Sequence, residues 1–244
     1  MNRKITVFTY IDRYSFFLDK WIEYYTNIFK QEELLIVYSN VTSFDIYSYL
    51  KSKACTKISV IEVNSTTDSF IQRNETFNEM QRLLLKTNDV VVYSDVDELI
   101  FHPYLRELID NFMTPYMTTK GFEIIHSETE AIFNPSQPIL SQREYGIYSE
   151  WYNKPLIVRE ELYWEEGKHN KNTQPLFYNN LILIHINKID INLLSELNLQ
   201  NKTIYKDVLP HNATIGENLN EVFKINFYDK LEPIPKVIND NISF

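Results

Sequence analysis

A short apolar segment that ends in closely spaced carboxylates constrains this chain more than any other feature. The segment Val90-Val-Val-Tyr93 is uncharged, and its residues are β-branched or aromatic. Such a run is typical of a strand that is buried on both faces of a parallel sheet. Three carboxylates follow at once in Ser94-Asp-Val-Asp-Glu98. Because carboxylates repel one another and are costly to desolvate, the pattern predicts a compensating cation or hydrogen-bond donors beside this strand.

Asp95 and Asp97 are the residues of this segment that suit a metal ion. In open α/β sheets, ligands bind outside the carboxyl ends of the strands, where both side chains would lie. Hard oxygen ligands with room for waters and phosphates favour Mg²⁺ or Mn²⁺ over zinc. The alternative is a solvated acidic turn, since Asp-x-Asp by itself is a common sequence. The apolar residues on both sides of the motif favour the metal site.

Patterns typical of strands and helices alternate along the first hundred residues. Strands are predicted at 4–10, 34–38, 57–63 and 90–93, and helices at 16–29, 44–52 and 69–86. This alternation indicates βαβ units around a parallel sheet and a nucleotide-binding half sheet. The chain has neither GxGxxG nor GxxxxGK[ST], which excludes a classical dinucleotide site and a P-loop.

The second half of the chain is less regular. A helix is predicted at 105–112, strands at 119–126, 154–159 and 181–186, and a further helix at 191–199. A loop is expected to run to about Tyr148, and a partly extended tail from Asn212. No linker rich in Pro, Gly or Ser divides the chain, so a single domain is predicted.

Charge and composition exclude several classes of partner. The net charge of -9 argues against a nucleic-acid-binding protein and against electrostatic attachment to anionic lipid. Cys55 is the single cysteine, which rules out an intramolecular disulfide and fits a reducing compartment. No stretch approaches 18 apolar residues, so neither a signal peptide nor a transmembrane helix is expected. We predict a soluble cytoplasmic protein, with peripheral association with a membrane left open.

Two histidines are further candidates for a binding site. His169 follows Gly167 in a polar loop, where a metal-ligand role and a surface role are equally consistent with the sequence. His185 lies in the apolar strand Leu181-Ile-Leu-Ile-His-Ile186, where a hydrogen-bonded core residue is the favoured interpretation.

Basic residues could neutralise phosphate charge near the acidic segment. Lys154 and Arg159 flank one predicted strand, and each could bind phosphate or be a solvated strand end. For Arg73 and Arg143, a surface role is the favoured interpretation when each is taken alone.

Taken in order, these segments resemble the family 2-like bacterial glycosyltransferases of the GT-A fold, including relatives grouped with family 92. The resemblance extends from about Ile5 to Leu199, and its strongest parts are Tyr93-Ser-Asp-Val-Asp-Glu-Leu-Ile, Lys154-Pro-Leu-Ile, Gly167-Lys-His169 and Leu183-Ile-His-Ile-Asn-Lys-Ile-Asp190. It implies one α/β domain over 1–244, with a Rossmann-like nucleotide-diphospho-sugar transferase fold and a mostly parallel central sheet. Residues 1–101 would bind the nucleotide-sugar, 102–199 would face the acceptor, and 200–244 would form a C-terminal extension.

The resemblance also implies roles for individual residues. Asp97 would bind Mn²⁺ or Mg²⁺ directly, Asp95 would hold the metal or the ribose, and Glu98 would support both. His169 would complete the metal site, with His185 as the alternative. Lys154 would face the diphosphate, and the nucleobase and ribose would be held by Tyr10, Asp12, Arg13 and Arg73.

The implied reaction moves a sugar from a UDP- or GDP-linked donor to a glycan or lipid-linked acceptor, in surface polysaccharide or lipopolysaccharide synthesis. An inverting enzyme needs a carboxylate base, and Glu123 and Glu144 are two candidates between which the sequence does not decide. The alternatives are an inactive carbohydrate- or nucleotide-binding protein of the same fold and a nucleotidyltransferase. The latter usually carries a glycine-rich or basic phosphate loop near its N-terminus, and no glycine precedes Gly121.

Overall fold

The computed structural model describes residues 3–40, 42–63, 70–125, 130–137, 139–143, 145–170, 173–190 and 232–233. The predicted helix at 191–199, the predicted tail from Asn212 and the candidate base Glu144 lie outside the described residues. The chain forms two compact units, one made of Met1–Gly121 with Glu150–Leu183 and the other of Phe122–Ser149 with Ile184–Phe244. The predicted single domain and its internal boundaries remain a prediction.

A parallel sheet forms the centre of the first unit. Its strands are β1 (Ile5–Ile11), β2 (Leu34–Ser39), β3 (Ser59–Val63) and β4 (Val90–Tyr93). They lie in the order β4-β1-β2-β3, and Val7 of β1 pairs with Leu34 on one side and Val92 on the other. All four residues of β4 are buried, as its continuous apolar sequence predicts. The predicted fold class, mixed α/β with a mostly parallel central sheet, is confirmed.

Helices connect these parallel strands. They are α1 (Phe16–Thr26), α2 (Ile46–Ser52) and α3 (Phe70–Leu85). α1 ends three residues before its predicted end, because side chains near its C-terminus bind the last carbonyl oxygens. The Thr26 hydroxyl donates to Ile22 O at 2.7 Å, and the Asn27 amide donates to Glu23 O at 2.9 Å. Such local side-chain hydrogen bonds compete with continuation of the helix.

The first unit continues with a strand, a helix and part of a further strand. They are β5 (Glu98–Phe101), α4 (Leu105–Asn111) and the first part of β6 (Tyr116–Ile125). β8 (Ile157–Val158) is antiparallel to both β4 and β6, and it is shorter than the strand predicted at 154–159. β5 was not predicted as a strand, although three of its four residues are apolar, and it pairs with β9 (Phe177–Lys188).

The second unit contains the end of β6, the end of β9 and two further strands. β7 (Tyr145–Tyr148) pairs antiparallel with β6, and β10 (Glu232–Pro233) pairs antiparallel with β7. The loop expected to run to Tyr148 is therefore wrong for its last residues. Their strand conformation depends on hydrogen bonds to β6, a distant part of the sequence that local patterns do not report. Within the described residues, no helix combines the length and apolar character needed to cross a bilayer.

Candidate functional site

A tight turn joins β4 to β5 and carries the predicted acidic motif. The Glu98 N–H donates to the Asp95 carbonyl oxygen at 2.9 Å, which closes a turn of four residues around Val96 and Asp97. Buried hydroxyl groups hold this turn on its inner side, since the Ser94 hydroxyl donates to Glu98 O and accepts from the Tyr25 hydroxyl at 2.9 Å. The two aspartates therefore leave the sheet at the carboxyl end of β4, where ligands of α/β sheets bind.

Glu98 and Lys154 form a buried ion pair behind the turn. Their relative exposures are 2% and 5%, and Lys154 Nζ donates to Glu98 Oε1. Burial alone would lower the pKa of Lys154, but Glu98, Asp95 and, to a smaller extent, Asp97 outweigh it and raise that pKa. Lys154 precedes β8 and so reaches the site from a part of the chain far from the motif. Its predicted role at a diphosphate stays a prediction.

Lys168 is the second ammonium group of the site, and sequence reasoning did not assign it a role. Its Nζ lies 3.1 and 3.2 Å from the two carboxylate oxygens of Asp95 and stacks over the rings of Phe77 and Tyr93, at 4.3 and 5.0 Å from their centroids. The Tyr93 hydroxyl also donates to Asp95. Burial opposes ionisation of Asp95, but Lys168, Lys154 and this hydrogen bond outweigh it and hold its pKa well below the usual value.

The loop that carries Lys168 has an unusual backbone. Gly167 and Lys168 both have positive φ, at 70° and 62°. The loop is closed by hydrogen bonds from Glu165 N to His169 O at 2.7 Å and from Lys168 N to Glu165 O at 2.9 Å. A left-handed conformation is tolerated by glycine but costs about 1–2 kcal/mol for lysine. The surrounding structure maintains this strain, and its effect is to direct the Lys168 ammonium to Asp95.

Polar residues on one face of α3 anchor the segment that leads into this loop. The amides of Asn74 and Asn78 donate to Trp164 O at 2.7 and 2.8 Å, and Asn78 Oδ1 accepts from Trp164 N at 2.7 Å. Gln81 Oε1 accepts from Leu162 N at 2.7 Å. Amides spaced four and three residues apart lie on one helix face. That spacing was the available sequence signal for a helix that holds a second segment.

His169 lies at the same site, half-buried beside Trp151. The two rings are 6.1 Å apart and meet edge to face. Burial and then the nearby Lys154 ammonium lower the pKa of His169. Its imidazole is therefore neutral at physiological pH, the form in which histidine binds metals.

The predicted nucleoside residues come together at the carboxyl end of β1. The Arg73 guanidinium lies over the Tyr10 ring at 4.8 Å, and Arg13 Nε is 3.3 Å from Asp12 Oδ1. Tyr10 also packs edge to face against Phe77, at 5.5 Å between centroids. The Lys168 ammonium, which pairs with Asp95, lies over the same Phe77 ring. Phe77 therefore links the predicted nucleoside residues to the acidic turn.

The carboxylates of the acidic turn are too few to hold a divalent cation by themselves. Among the described residues, no three His, Cys, Asp or Glu side chains form a group that could hold a metal ion. Asp95 is also occupied by Lys168. Mg²⁺ is commonly bound through one or two carboxylates together with substrate phosphates. The site therefore suits a cation that arrives with a diphosphate better than one bound by the protein alone.

Three predicted candidates belong to the second unit. Glu123 and His185 are both buried there, and His185 Nδ1 lies 2.7 Å from Glu123 Oε1, which confirms His185 as a hydrogen-bonded core residue. Arg143 has an exposure of only 1%, so its favoured surface role is wrong. Its guanidinium donates to Ile189 O and Ala131 O at 2.7 and 3.1 Å, because buried carbonyl groups of a loop need donors.

No family model and no curated protein matches this chain. Solved structures of similar fold include the 1–349 fragment of S. aureus TarS, with 15% identity over 91% of this chain and 72% of that one and a TM-score of 0.36. The mannosyltransferase PcManGT of Pyrobaculum calidifontis, in complex with GDP-Man and Mn²⁺, has 12% identity over 52% of this chain and 36% of that one, with a TM-score of 0.34. A second structure of S. aureus TarS has 12% identity over 93% of this chain and 44% of that one, with a TM-score of 0.41. The chain thus spans less than half of two of these proteins.

Proposed function

We propose that this protein is a glycosyltransferase that takes a sugar from a nucleoside-diphosphate donor. The observation that carries the proposal is the closed turn Asp95–Glu98 at the carboxyl end of β4, with Lys154 and Lys168 on its carboxylates. A leaving nucleoside diphosphate is an anion, and preorganised positive groups stabilise the charge that grows on it in the transition state. The Lys154 ammonium is held in place by its buried pair with Glu98 before any ligand binds, as such stabilisation requires.

The charges of the site explain how it could exchange partners with a donor. Lys154 pairs with Glu98, and Lys168 pairs with Asp95. When a diphosphate binds, Lys168 would turn from Asp95 to a phosphate oxygen, leaving Asp95 and Asp97 to hold Mn²⁺ or Mg²⁺ with the diphosphate. The bound cation would neutralise phosphate charge. We propose neutral His169 as a further ligand. In this structure Asp95, Asp97 and His169 do not form a group that could hold a metal ion, so the three side chains would have to move together when the diphosphate binds.

The donor nucleoside would bind over Tyr10 and Arg73, beside Asp12 and Arg13. The acceptor is proposed to be a glycan or a lipid-linked saccharide of surface polysaccharide synthesis. Glu123 and Glu144 remain the two candidate bases for an inverting reaction. Glu123 is held by His185 at 2.7 Å, a contact that would orient its carboxylate and support its basic form when the imidazole is protonated.

A thermal-shift screen of UDP, GDP and their sugar conjugates, each with and without Mn²⁺, tests the proposal. A ligand at a hundred times its dissociation constant should stabilise the fold by about 2.7 kcal/mol. We expect a shift with one nucleotide class, dependent on the cation and lost in Asp97→Ala. Absence of any shift in folded protein would contradict the proposal and favour an inactive protein of this fold.

Product analysis separates the transferase from a nucleotidyltransferase. A glycosyltransferase incubated with the donor identified in the screen should release a nucleoside diphosphate, including slow release when water is the acceptor. A nucleotidyltransferase would instead consume a nucleoside triphosphate with a sugar phosphate and release pyrophosphate. Detection of the second pair of products would overturn the assignment while leaving the nucleotide site intact.

A further inference from the structure

Trp151 differs from the other two tryptophans of the chain in its exposure. Its relative exposure is 77%, whereas Trp21 and Trp164 are fully buried at 0%. Among the described residues, no other large apolar side chain is more exposed. Leaving a whole indole in water forgoes the burial of one of the largest apolar surfaces in the protein. The exposed indole does not contribute to the buried core and is available to a ligand.

The backbone that carries Trp151 is fixed from several sides. It lies in the short 3₁₀ turn Glu150–Tyr152, which is closed by the hydrogen bond from Asn153 N to Glu150 O at 3.0 Å. The Gly121 N–H donates to Asn153 Oδ1 at 3.0 Å, and the Thr119 hydroxyl donates to Tyr152 O at 3.3 Å. The indole is therefore exposed on a rigid support.

Gly121 shows how closely β6 approaches this turn. A Cβ atom added at Gly121 would lie 1.9 Å from Tyr152 Cβ and 2.6 Å from Tyr152 Cα. Only glycine can occupy this position with the turn where it is. The contact fixes the residue next to Trp151 and restricts the movement of the indole relative to β6.

One polar group of the candidate site, the His169 imidazole, contacts the indole. The ring meets the His169 ring edge to face at 6.1 Å, and Lys154 follows two residues after Tyr152 in the chain. Glu150 and Asn153 flank the turn with a carboxylate and an amide. An apolar face surrounded by a few fixed polar groups is the usual composition of a small-molecule site.

We infer that Trp151 is the stacking platform for a sugar ring at this site. A pyranose presents C–H groups on its face and hydroxyl groups at its edge, which matches an exposed indole in contact with the His169 imidazole and close in the chain to the polar residues Glu150 and Asn153. The inference rests on the proposed function for the origin of the sugar, which is either the donor sugar or the terminal sugar of the acceptor. A protein partner fits less well, because a stable interface buries about 800 Å² on each side, several times the area of one indole.

Acrylamide quenching of tryptophan fluorescence tests the inference directly. With excitation of tryptophan alone, the quenchable emission comes from Trp151, because Trp21 and Trp164 are buried. Trp151→Phe should remove that component and so identifies it. The first set of probes contains the methyl glycosides of glucose, galactose, mannose and N-acetylglucosamine, each without nucleotide. The second set contains UDP-N-acetylglucosamine and GDP-mannose, with UDP and GDP as their controls. The nucleotides and nucleotide-sugars are all tested with Mn²⁺.

Each outcome of the quenching experiment has one meaning. Protection by a methyl glycoside supports an acceptor sugar on Trp151. Protection by a nucleotide-sugar but not by its parent nucleotide supports a donor sugar. Protection by none of the saccharide probes overturns the inference. If no nucleotide binds but a glycoside protects Trp151, the proposed function fails while the sugar platform stands.

Affinity measurements with variants provide the second readout. Trp151→Ala should weaken binding of the protecting saccharide about tenfold or more, as expected for truncation of an anchoring tryptophan. Binding of UDP or GDP should be unchanged in the same variant. Trp151→Phe keeps an aromatic face and should retain most of the affinity, and Tyr104→Ala, which removes another exposed aromatic residue, is the matched control. Equal saccharide affinity in wild type and Trp151→Ala would contradict the stacking role.

Discussion

The buried ion pair of Glu98 and Lys154 shows how individual residues stabilise the candidate site. Both side chains are almost completely buried, so each needs the other to compensate its charge. Their function is to hold the β4–β5 turn above them and to place positive charge near Asp95.

Lys154→Met should be strongly destabilising, because it leaves the Glu98 carboxylate buried without its ammonium partner. We expect a loss of about 3–5 kcal/mol in the free energy of unfolding, measured by urea denaturation. The double variant Glu98→Gln/Lys154→Met should recover much of this loss, since no uncompensated charge remains. A single variant that loses less than about 1 kcal/mol would indicate that the pair is solvated.

Asp95 should make stability depend on acid pH. Because the folded protein holds the pKa of Asp95 below the ordinary value of 3.8, its ionisation contributes stability that is fully present above that pH. This contribution is lost as the pH falls from about 3.8 toward the lower folded pKa. The difference in unfolding free energy between wild type and Asp95→Asn should therefore shrink over that range.

The matching control for this pH dependence is Lys168→Met, which removes the main ammonium group that lowers the Asp95 pKa. In that variant, the acid-dependent difference contributed by Asp95 should be reduced. An unchanged pH profile in both variants would mean that Asp95 is not held by these contacts.

At the level of elements, two connections determine where the side chains of the candidate site lie. α3 holds the segment Leu162–Trp164 with side-chain amides, and that segment delivers the loop with Lys168 and His169. Gly121 of β6 packs against Tyr152 and donates a hydrogen bond to Asn153, which fixes the turn Glu150–Tyr152. This turn carries Trp151 and comes just before Lys154 in the chain.

Gly121→Ala should disturb the second of these connections. The new methyl group would overlap Tyr152, whose Cβ and backbone atoms lie between 1.9 and 2.6 Å from the position that the methyl carbon would take. Overpacking of this kind costs about 1–3 kcal/mol or more in unfolding free energy. The indole of Trp151 should also shift, which a change in its acrylamide quenching constant would report.

Gly167→Asn is a useful comparison for Gly121→Ala, because asparagine tolerates positive φ better than other residues. It should destabilise the protein less than Gly167→Ala does, although a Cβ at this position would lie 3.0 Å from the His169 ring. If Gly121→Ala were as mild as Gly167→Asn, the close approach of β6 to the turn would not hold in solution.

Across the whole molecule, the proposed exchange of partners makes cation binding depend on the nucleotide. Mn²⁺ alone should stabilise the protein weakly, because Lys168 already occupies Asp95. Mn²⁺ with the preferred nucleoside diphosphate should stabilise it by more than the sum of the two separate effects, as linked binding requires. Differential scanning calorimetry with each ligand separately and together measures this coupling.

Lys168→Met should change this coupling in a defined direction. Asp95 would lose its ammonium partner, so binding of Mn²⁺ alone should become stronger, while binding of the nucleotide should become weaker through loss of a phosphate partner. Lys57→Met, which removes an exposed lysine paired with Glu32, is the matched control and should change neither. Identical Mn²⁺ binding in wild type and Lys168→Met would contradict the exchange.

The parallel half of the sheet and the place of its acidic motif followed from the sequence. Val90-Val-Val-Tyr93 is apolar on both faces, so it had to be a buried strand, and the carboxylates that follow it had to lie at the carboxyl end of that strand. The helical spacing of Phe17, Trp21 and Tyr25 likewise defined the buried face of α1. These features depend on local periodicity, which is visible in the sequence.

Only the tertiary structure decided which cations meet which carboxylates. Lys154 pairs with Glu98 across 56 residues, and Lys168 pairs with Asp95 across 73. Neither pairing has a local signal, because a lysine in a polar loop looks the same whether it is solvated or directed into a site. The same holds for Arg143, which the fold buries, and for Trp151, which it leaves in water. Sequence periodicity determines the elements, whereas partners distant in the chain depend on how those elements pack.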